Sequence, residues 1–309
     1  MRILRKYCGF YIFNFYANLS DLEKFMGKKK EDFLSDELLL NIVAVSEKAG
    51  KAIMDIYSQN DSEITYKNDN SPLTLADMAA HKLILDQLKM ITPQIPALSE
   101  ESKNISYDER KTWKTFWLVD PLDGTKEFIK GNGEFTVNIA LIDRGAVILG
   151  VVHAPALEIT YFAAKGKGAF KKVNNGGMKT FDIHVLDYQS QSEKLKIVCS
   201  RSHGSEMLER LLKNIGNADY VSMGSSLKLC LIAEGKAHLY PRLGPTMEWD
   251  TAAAQCIVES AGGAITDLNK NALRYNKPNL LNPYFMAYGA PSFPWWRFMN
   301  NINYKEEKQ

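Results

Sequence analysis

The 309-residue chain is 45% hydrophobic and 24% charged, with a formal net charge of +2, a balance ordinary for a folded globular protein of one large or two smaller domains. No run of like charge exceeds Lys28-Lys29-Lys30, which argues against a nucleic-acid-binding tail. Cys8, Cys199, Cys230 and Cys256 form no C-x-x-C pair and the histidines no H-E-x-x-H, so neither a zinc site nor a disulfide framework is indicated and a reducing, cytoplasmic compartment fits.

Residues 1–35 start basic and continue aromatic and apolar. Asn14 interrupts the apolar part, so the stretch resembles a signal peptide poorly, and it is too short and polar to span a bilayer. Peripheral contact with the cytoplasmic side of the inner membrane is one expectation for it, and an upstream extension is the other.

From 36 to 58, Leu38, Ile42, Val45, Ala49, Ala52 and Ile56 recur at steps of three and four, which predicts an amphipathic helix with Asp36 as its N-cap. A loop, "KNDNSPLTLAD", leads to a second helix that Thr74 opens and Pro93 and Pro96 end. "PALSEES" is a short apolar segment running into Glu100 and Glu101. "FWLV" is a buried strand up to Asp120. "FTVNIALID", "AVILGVVHAP" and "TYFAAKGKGAFKK" are rich in β-branched and aromatic residues and predict antiparallel strands. After "DYQSQSEK" at 187–194 the pattern alternates. Strands at "KIVCSR", "YVSM" and "AHLYPRL" are separated by helices at 205–214, 225–234 and 250–260, and "AITDL" and "FMAYGAP" close the series as strands. Alternation of this kind argues an α/β layer. The expected division is an N-terminal extension (1–35), a helix-plus-antiparallel-sheet domain (36–190), a smaller α/β domain (191–290) and a tail (291–309). The aromatic "PSFPWWRFM" in the tail is read as docking on the protein's own surface.

Chemistry concentrates where elements end. Asp120 and Asp123 flank Pro121, and Gly124-Thr125 follow at once. On its own this is a strand-to-helix turn or a Mg²⁺ site, since carboxylates and backbone carbonyls suit that ion. Taken singly, Glu100 is most simply a solvated loop acid, Asp250 an N-cap and Asp77 half of a capping box with Thr74.

Together, "SPLTLAD", "LSEES", "DPLDGT" and "WDTAAAQCIVESAGG" stand in the order and rough spacing of the inositol monophosphatase-like superfamily of Mg²⁺-dependent phosphatases. Within it the chain most resembles the bacterial 3′(2′),5′-bisphosphate nucleotidases, from about residue 36 to about 290. Glu127 in "GTKEF" leans to that branch. The resemblance implies an αβαβα sandwich and hydrolysis of 3′-phosphoadenosine 5′-phosphate to AMP and phosphate, with sensitivity to Li⁺. It implies that Glu100, Asp120, Asp123, Asp250 and the Leu122 carbonyl hold roughly two or three Mg²⁺ ions. It makes Asp77 and the Thr125 hydroxyl the pair that orients a water whose pKa the metal lowers, and rests the scissile phosphate on Gly124 and Thr125. Positions Ser200, His203, Gly224 and Lys228 would approach the nucleotide, and Lys228 or Arg242 would neutralise its second phosphate. A surface histidine and a solvated helix lysine are the plain alternatives for His203 and Lys228. Rival readings are an inositol phosphate or fructose 1,6-bisphosphate phosphatase of the same superfamily, and a non-catalytic nucleotide or phosphate sensor.

Overall fold

The structure, a computed structural model, describes residues 34–58, 64–66, 72–102, 105–174, 179–186, 194–199, 205–290 and 292–302. The expectations for residues 1–33, for Ser200 and His203, and for the join at 187–193 lie outside the described residues.

Helix α1 (Asp36–Tyr57) buries Leu38, Ile42, Val45 and Ala49 of the expected stripe, but Ile53 takes the buried place and Ala52 and Ile56 are half-buried. Its N-cap is Ser35, whose hydroxyl accepts the Leu38 N–H at 3.0 Å, and not Asp36, which stands inside the first turn. Strands β1 (Ile64–Tyr66) and β2 (Pro72–Thr74), the latter inside the stretch expected as a loop, pair as a small antiparallel sheet. Runs of three residues are too short for periodicity to register. Thr74 ends β2, and α2 starts after it (Leu75–Ile91).

Strand β3 (Ala97–Ser99), the short helix α3 (Tyr107–Arg110) and strand β4 (Thr115–Asp123) follow, then α4 (Thr125–Lys130). Next come β5 (Thr136–Asp143), β6 (Ala146–Ala154), β7 (Ile159–Ala164), β8 (Gly168–Val173) and β9 (Lys179–Asp182). Strands β3 to β9 lie in sequence order in one seven-stranded sheet. Only the β3–β4 pairing is parallel; the others are antiparallel.

The second half supplies β10 (Leu195–Cys199), α5 (Glu206–Ile215), β11 (Ala218–Ser222), α6 (Leu227–Ala233), β12 (Leu239–Arg242), α7 (Glu248–Ser260), β13 (Ala264–Asp267) and β14 (Phe285–Tyr288). Its five strands run in the order β11-β10-β12-β14-β13, with β10 parallel to β11 and β12.

Side chains alternate across a strand, and β4 shows what each face meets. Trp117 and Val119 pack into the cluster built with α1 and α2. Phe116 and Leu118 pack into a second cluster that also takes Leu227 and Ile232 of α6, Ile257 of α7, and Tyr240, Ile265 and Phe285 of the small sheet. That second cluster is continuous across the two halves of the chain. The outer face of the small sheet buries Ile197, Leu239 and Met286 against Leu208 and Leu211 of α5 and against Phe293, Trp295 and Met299. The layers are helix, sheet, helix, sheet, helix. Gly150 makes the central contact close: a Cβ there would lie 2.2 Å from the Ala253 carbonyl oxygen of α7. The aromatic tail docks on the chain's own surface, with Trp295 only 2% exposed.

Candidate active site

Strand β4 does not stop at Asp120. It runs to Asp123, with Asp120 opposite Asn138 and Asp123 opposite Thr136. Three steps on β4 therefore match two on β5, which is a β-bulge at Pro121-Leu122. In a regular strand, residues three apart point to opposite faces. The extra residue brings Asp123 onto the face of Asp120, because Thr136 and Asn138 share a face. What was expected as a turn is a bulge, and the bulge pairs the carboxylates.

Gly124 then turns the chain into α4 with a φ of 88°, a conformation that favours glycine. Thr125 is the first residue of that helix, and its hydroxyl donates to the Leu122 carbonyl at 3.4 Å. Glu100 follows β3 directly and its N–H donates to the Val119 carbonyl, so it stands beside the end of β4. Asp77 sits in the first turn of α2, only 2% exposed. Asp250 lies in the first turn of α7, two residues after its start, and its carboxylate accepts the Met247 N–H at 2.9 Å. It is therefore not the N-cap.

These groups share one electrostatic environment. Burial pushes the Asp120 carboxyl well above the usual carboxylate range, and Glu100, Asp123, Asp250 and Asp77 each add to the rise. Burial and then Asp123 push Asp250 up to about 8. Among the described residues, no three His, Cys, Asp or Glu side chains stand close enough to hold one ion between them. The donor set nonetheless fits a hard cation: it offers oxygen alone, and its field makes added positive charge favourable.

Ser226 ties the arrangement together, and sequence reasoning passed over it. Its N–H and hydroxyl lie 2.6 and 2.9 Å from Asp123 Oδ2, and the hydroxyl also lies 2.8 Å from the Asp250 carbonyl. Asn138 Nδ2 donates to the same hydroxyl at 2.9 Å and is itself held by Thr136. A signal was available, since an asparagine in the otherwise apolar β5 needs a buried partner. Glu134 was also missed; it accepts the Gly224 N–H at 2.7 Å.

Beside the carboxylates opens a cleft lined by Asp123, Gly124, Lys228, Tyr240, Arg242 and Asp250. Lys228 is not solvated: it is 9% exposed, its ammonium donates to the Ser225 carbonyl at 2.6 Å, and it lies 5.9 Å from the centre of the Tyr240 ring. Burial lowers its pKa, and Asp123 opposes that. Arg242 donates to the Pro245 carbonyl, while its buried Nε has no hydrogen-bond partner among the described residues.

Residues 35–291 match the model of the inositol monophosphatase family. The 3′(2′),5′-bisphosphate nucleotidase CysQ of Salmonella typhimurium is 47% identical over 250 residues, 80% of this chain and 98% of the relative. Its namesake from Escherichia coli is 46% identical over the same shares. Among solved structures, CysQ from Bacteroides thetaiotaomicron superposes with a TM-score of 0.72 at 40% identity, covering 83% of this chain and 98% of the other.

Proposed function

The chain belongs to the inositol monophosphatase family, and from that membership we propose that it is a Mg²⁺-dependent phosphatase that hydrolyses 3′-phosphoadenosine 5′-phosphate to AMP and phosphate. The observation that carries the substrate is the cleft beside the carboxylates, with Lys228 buried in it and Arg242 on its wall. A buried ammonium is costly without an anion to meet. A monophosphate brings only the group that reacts, whereas a bisphosphate brings a second one for these cations.

Glu100, Asp120, Asp123, Asp250 and the Leu122 carbonyl would hold the metal, roughly two or three ions. Bound Mg²⁺ supplies positive charge that lowers the pKa of water and steadies the leaving ribose oxygen. The free N–H groups at Gly124 and Thr125 hold the scissile phosphate. Asp77 draws on the Thr125 hydroxyl, which orients the attacking water in line with the leaving oxygen. Water oxygen joins phosphorus as the P–O bond to the ribose breaks, with no covalent enzyme intermediate. Lys228 and Arg242 receive the second phosphate. Gly224, Ser200 and His203 are assigned to the nucleoside side. On this reading residues 36–190 carry most of the metal chemistry, completed by Asp250 from the second half, and residues 191–290 the choice of substrate. The described cysteines Cys199, Cys230 and Cys256 are free thiols, which supports a cytoplasmic setting. No helix among the described residues is long and apolar enough to cross a membrane.

Phosphate release from a substrate panel, with Mg²⁺ supplied or chelated, tests this. Preference for the nucleotide bisphosphate and loss of turnover on chelation are expected. A preference for inositol 1-phosphate would replace the substrate, and binding without turnover would leave a sensor.

A further inference from the structure

Two buried charges lie away from the cleft and grip the same loop. Glu248, the first residue of α7, is 0% exposed. Its carboxylate accepts the N–H of Asn276 at 2.7 Å, the N–H of Lys277 at 3.0 Å and the Lys277 ammonium at 2.5 Å. Arg110, at the end of α3, is 3% exposed. Its guanidinium donates to Asn276 Oδ1, the Lys277 carbonyl and the Pro278 carbonyl, at 3.1, 2.7 and 2.8 Å. Asn276 Nδ2 returns a bond to the Arg110 carbonyl at 2.7 Å.

The far end of the loop holds α7 as well. The Glu248 N–H donates to the Leu280 carbonyl, and Asn282 Nδ2 donates to the Met247 carbonyl and to Thr251 Oγ1. Residues 246–251, of which Thr246, Asp250 and Thr251 line the cleft, are thus fastened to the loop at 276–282, and Asp250 lies among them with one carboxylate oxygen spent on the Met247 N–H.

Buried ion pairs are weak evidence for stability, because desolvation offsets most of the attraction. Their best-attested use is to fix one arrangement among several. We propose that Glu248 is a positioning residue for Asp250, with Arg110 as its brace from α3. The loop they share sets where the first turn of α7 stands against β4, and so where the remaining Asp250 oxygen lies relative to Asp123. Mg²⁺ tolerates little departure from octahedral geometry, so a small drift of that turn weakens its binding. The inference rests on the metal reading above.

The test uses Glu248→Gln, which keeps shape and removes charge, and Arg110→Lys, which keeps charge and removes the fork without altering α7. Mg²⁺ affinity of the substrate-free protein is measured by calorimetry, beside the Mg²⁺ midpoint for phosphate release and the melting temperature. Glu248→Gln is expected to weaken Mg²⁺ binding about tenfold, with turnover at saturating Mg²⁺ falling less than affinity. Arg110→Lys is expected to move the midpoint in the same direction by a smaller factor. A lowered melting temperature with unchanged Mg²⁺ affinity in both variants would make the pair merely structural and overturn the inference alone. A wild type that binds no Mg²⁺ would overturn the reading of the site, and this inference with it.

Discussion

Asp123 Oδ2 receives both donors of Ser226, so an asparagine there can keep an oxygen towards them while losing its charge. Asp123→Asn is expected to abolish phosphatase activity and leave the circular dichroism spectrum and melting temperature near wild type. Near-normal turnover in saturating Mg²⁺ would remove Asp123 from the metal set. Lys228→Ala is expected to lower kcat/KM for 3′-phosphoadenosine 5′-phosphate by about 1.5–3 kcal/mol, roughly ten- to a hundredfold. Inositol 1-phosphate should lose much less, because it brings no second phosphate. Equal losses for both substrates would give Lys228 a role in the fold instead. At this scale the sequence shows acids best. Asp120, Asp123 and Asp250 stand at the ends of apolar runs, where a charge demands a reason. Ser226 was hidden because a serine in "GSSLK" is unremarkable until its two oxygen neighbours are known, and those come from strands and helices far along the chain. The burial of Lys228 was hidden for the same reason: a single lysine at helical spacing carries no trace of the Tyr240 ring beside it.

Among the elements, the legible ones were those with long periodic faces. Helix α1 and the strands β5 to β8 follow their patterns closely. The β1–β2 hairpin and the short helix α3 did not announce themselves, because three or four residues hold no period. The contact between α1 and the large sheet yields a test of its own. His153 of β6 is 5% exposed, and its Nδ1 lies 2.9 Å from Thr160 Oγ1. Burial lowers its pKa to about 4, against a partial opposing pull from Glu47. The unfolded chain, with an ordinary histidine near 6.5, then takes up the proton before the native one does. Stability from this group is fully present above about pH 6.5, falls as pH drops towards 4, and changes by about 3 kcal/mol over that window. Urea denaturation at pH 7 and pH 5 is expected to show the decline, and His153→Asn should flatten that part of the profile. An equally steep decline in the variant would assign the acid sensitivity elsewhere.

At the scale of the whole molecule, the middle cluster is shared by both sheets and by α6 and α7. The apolar core is not divided between the two halves of the sequence. Unfolding is expected as one cooperative transition, with fluorescence and far-ultraviolet circular dichroism coinciding. The tail joins that cooperativity: Trp295 lies in the outer cluster with Leu211 and Met286, and Asn214 of α5 donates to the carbonyls of Phe298 and Asn300. Trp295→Ala is expected to cost about 3–5 kcal/mol in denaturant titration, and a loss below 1 kcal/mol would mean the tail merely rests there. The α/β layer of the second half was legible from the alternation of its patterns, whereas the five-layer sandwich was implied only by the family resemblance. The partners of each layer were not, since periodicity says which face is apolar and nothing about what covers it.

The bulge in β4 makes the site depend on a count. Without the bulge, strict alternation over the same three-residue spacing would turn the second carboxylate with Trp117 and Val119 into the apolar layer under α1 and α2. A carboxylate there would be a defect in the core, so the same amino acids in the same order would lose both the site and part of their stability. Inheritance acts on such a feature unevenly. The side chains at 121 and 122 are free to drift among those that fit their places, while the extra residue is kept only together with the bulge, since a spacing of three serves the site in a bulged strand and ruins it in a regular one.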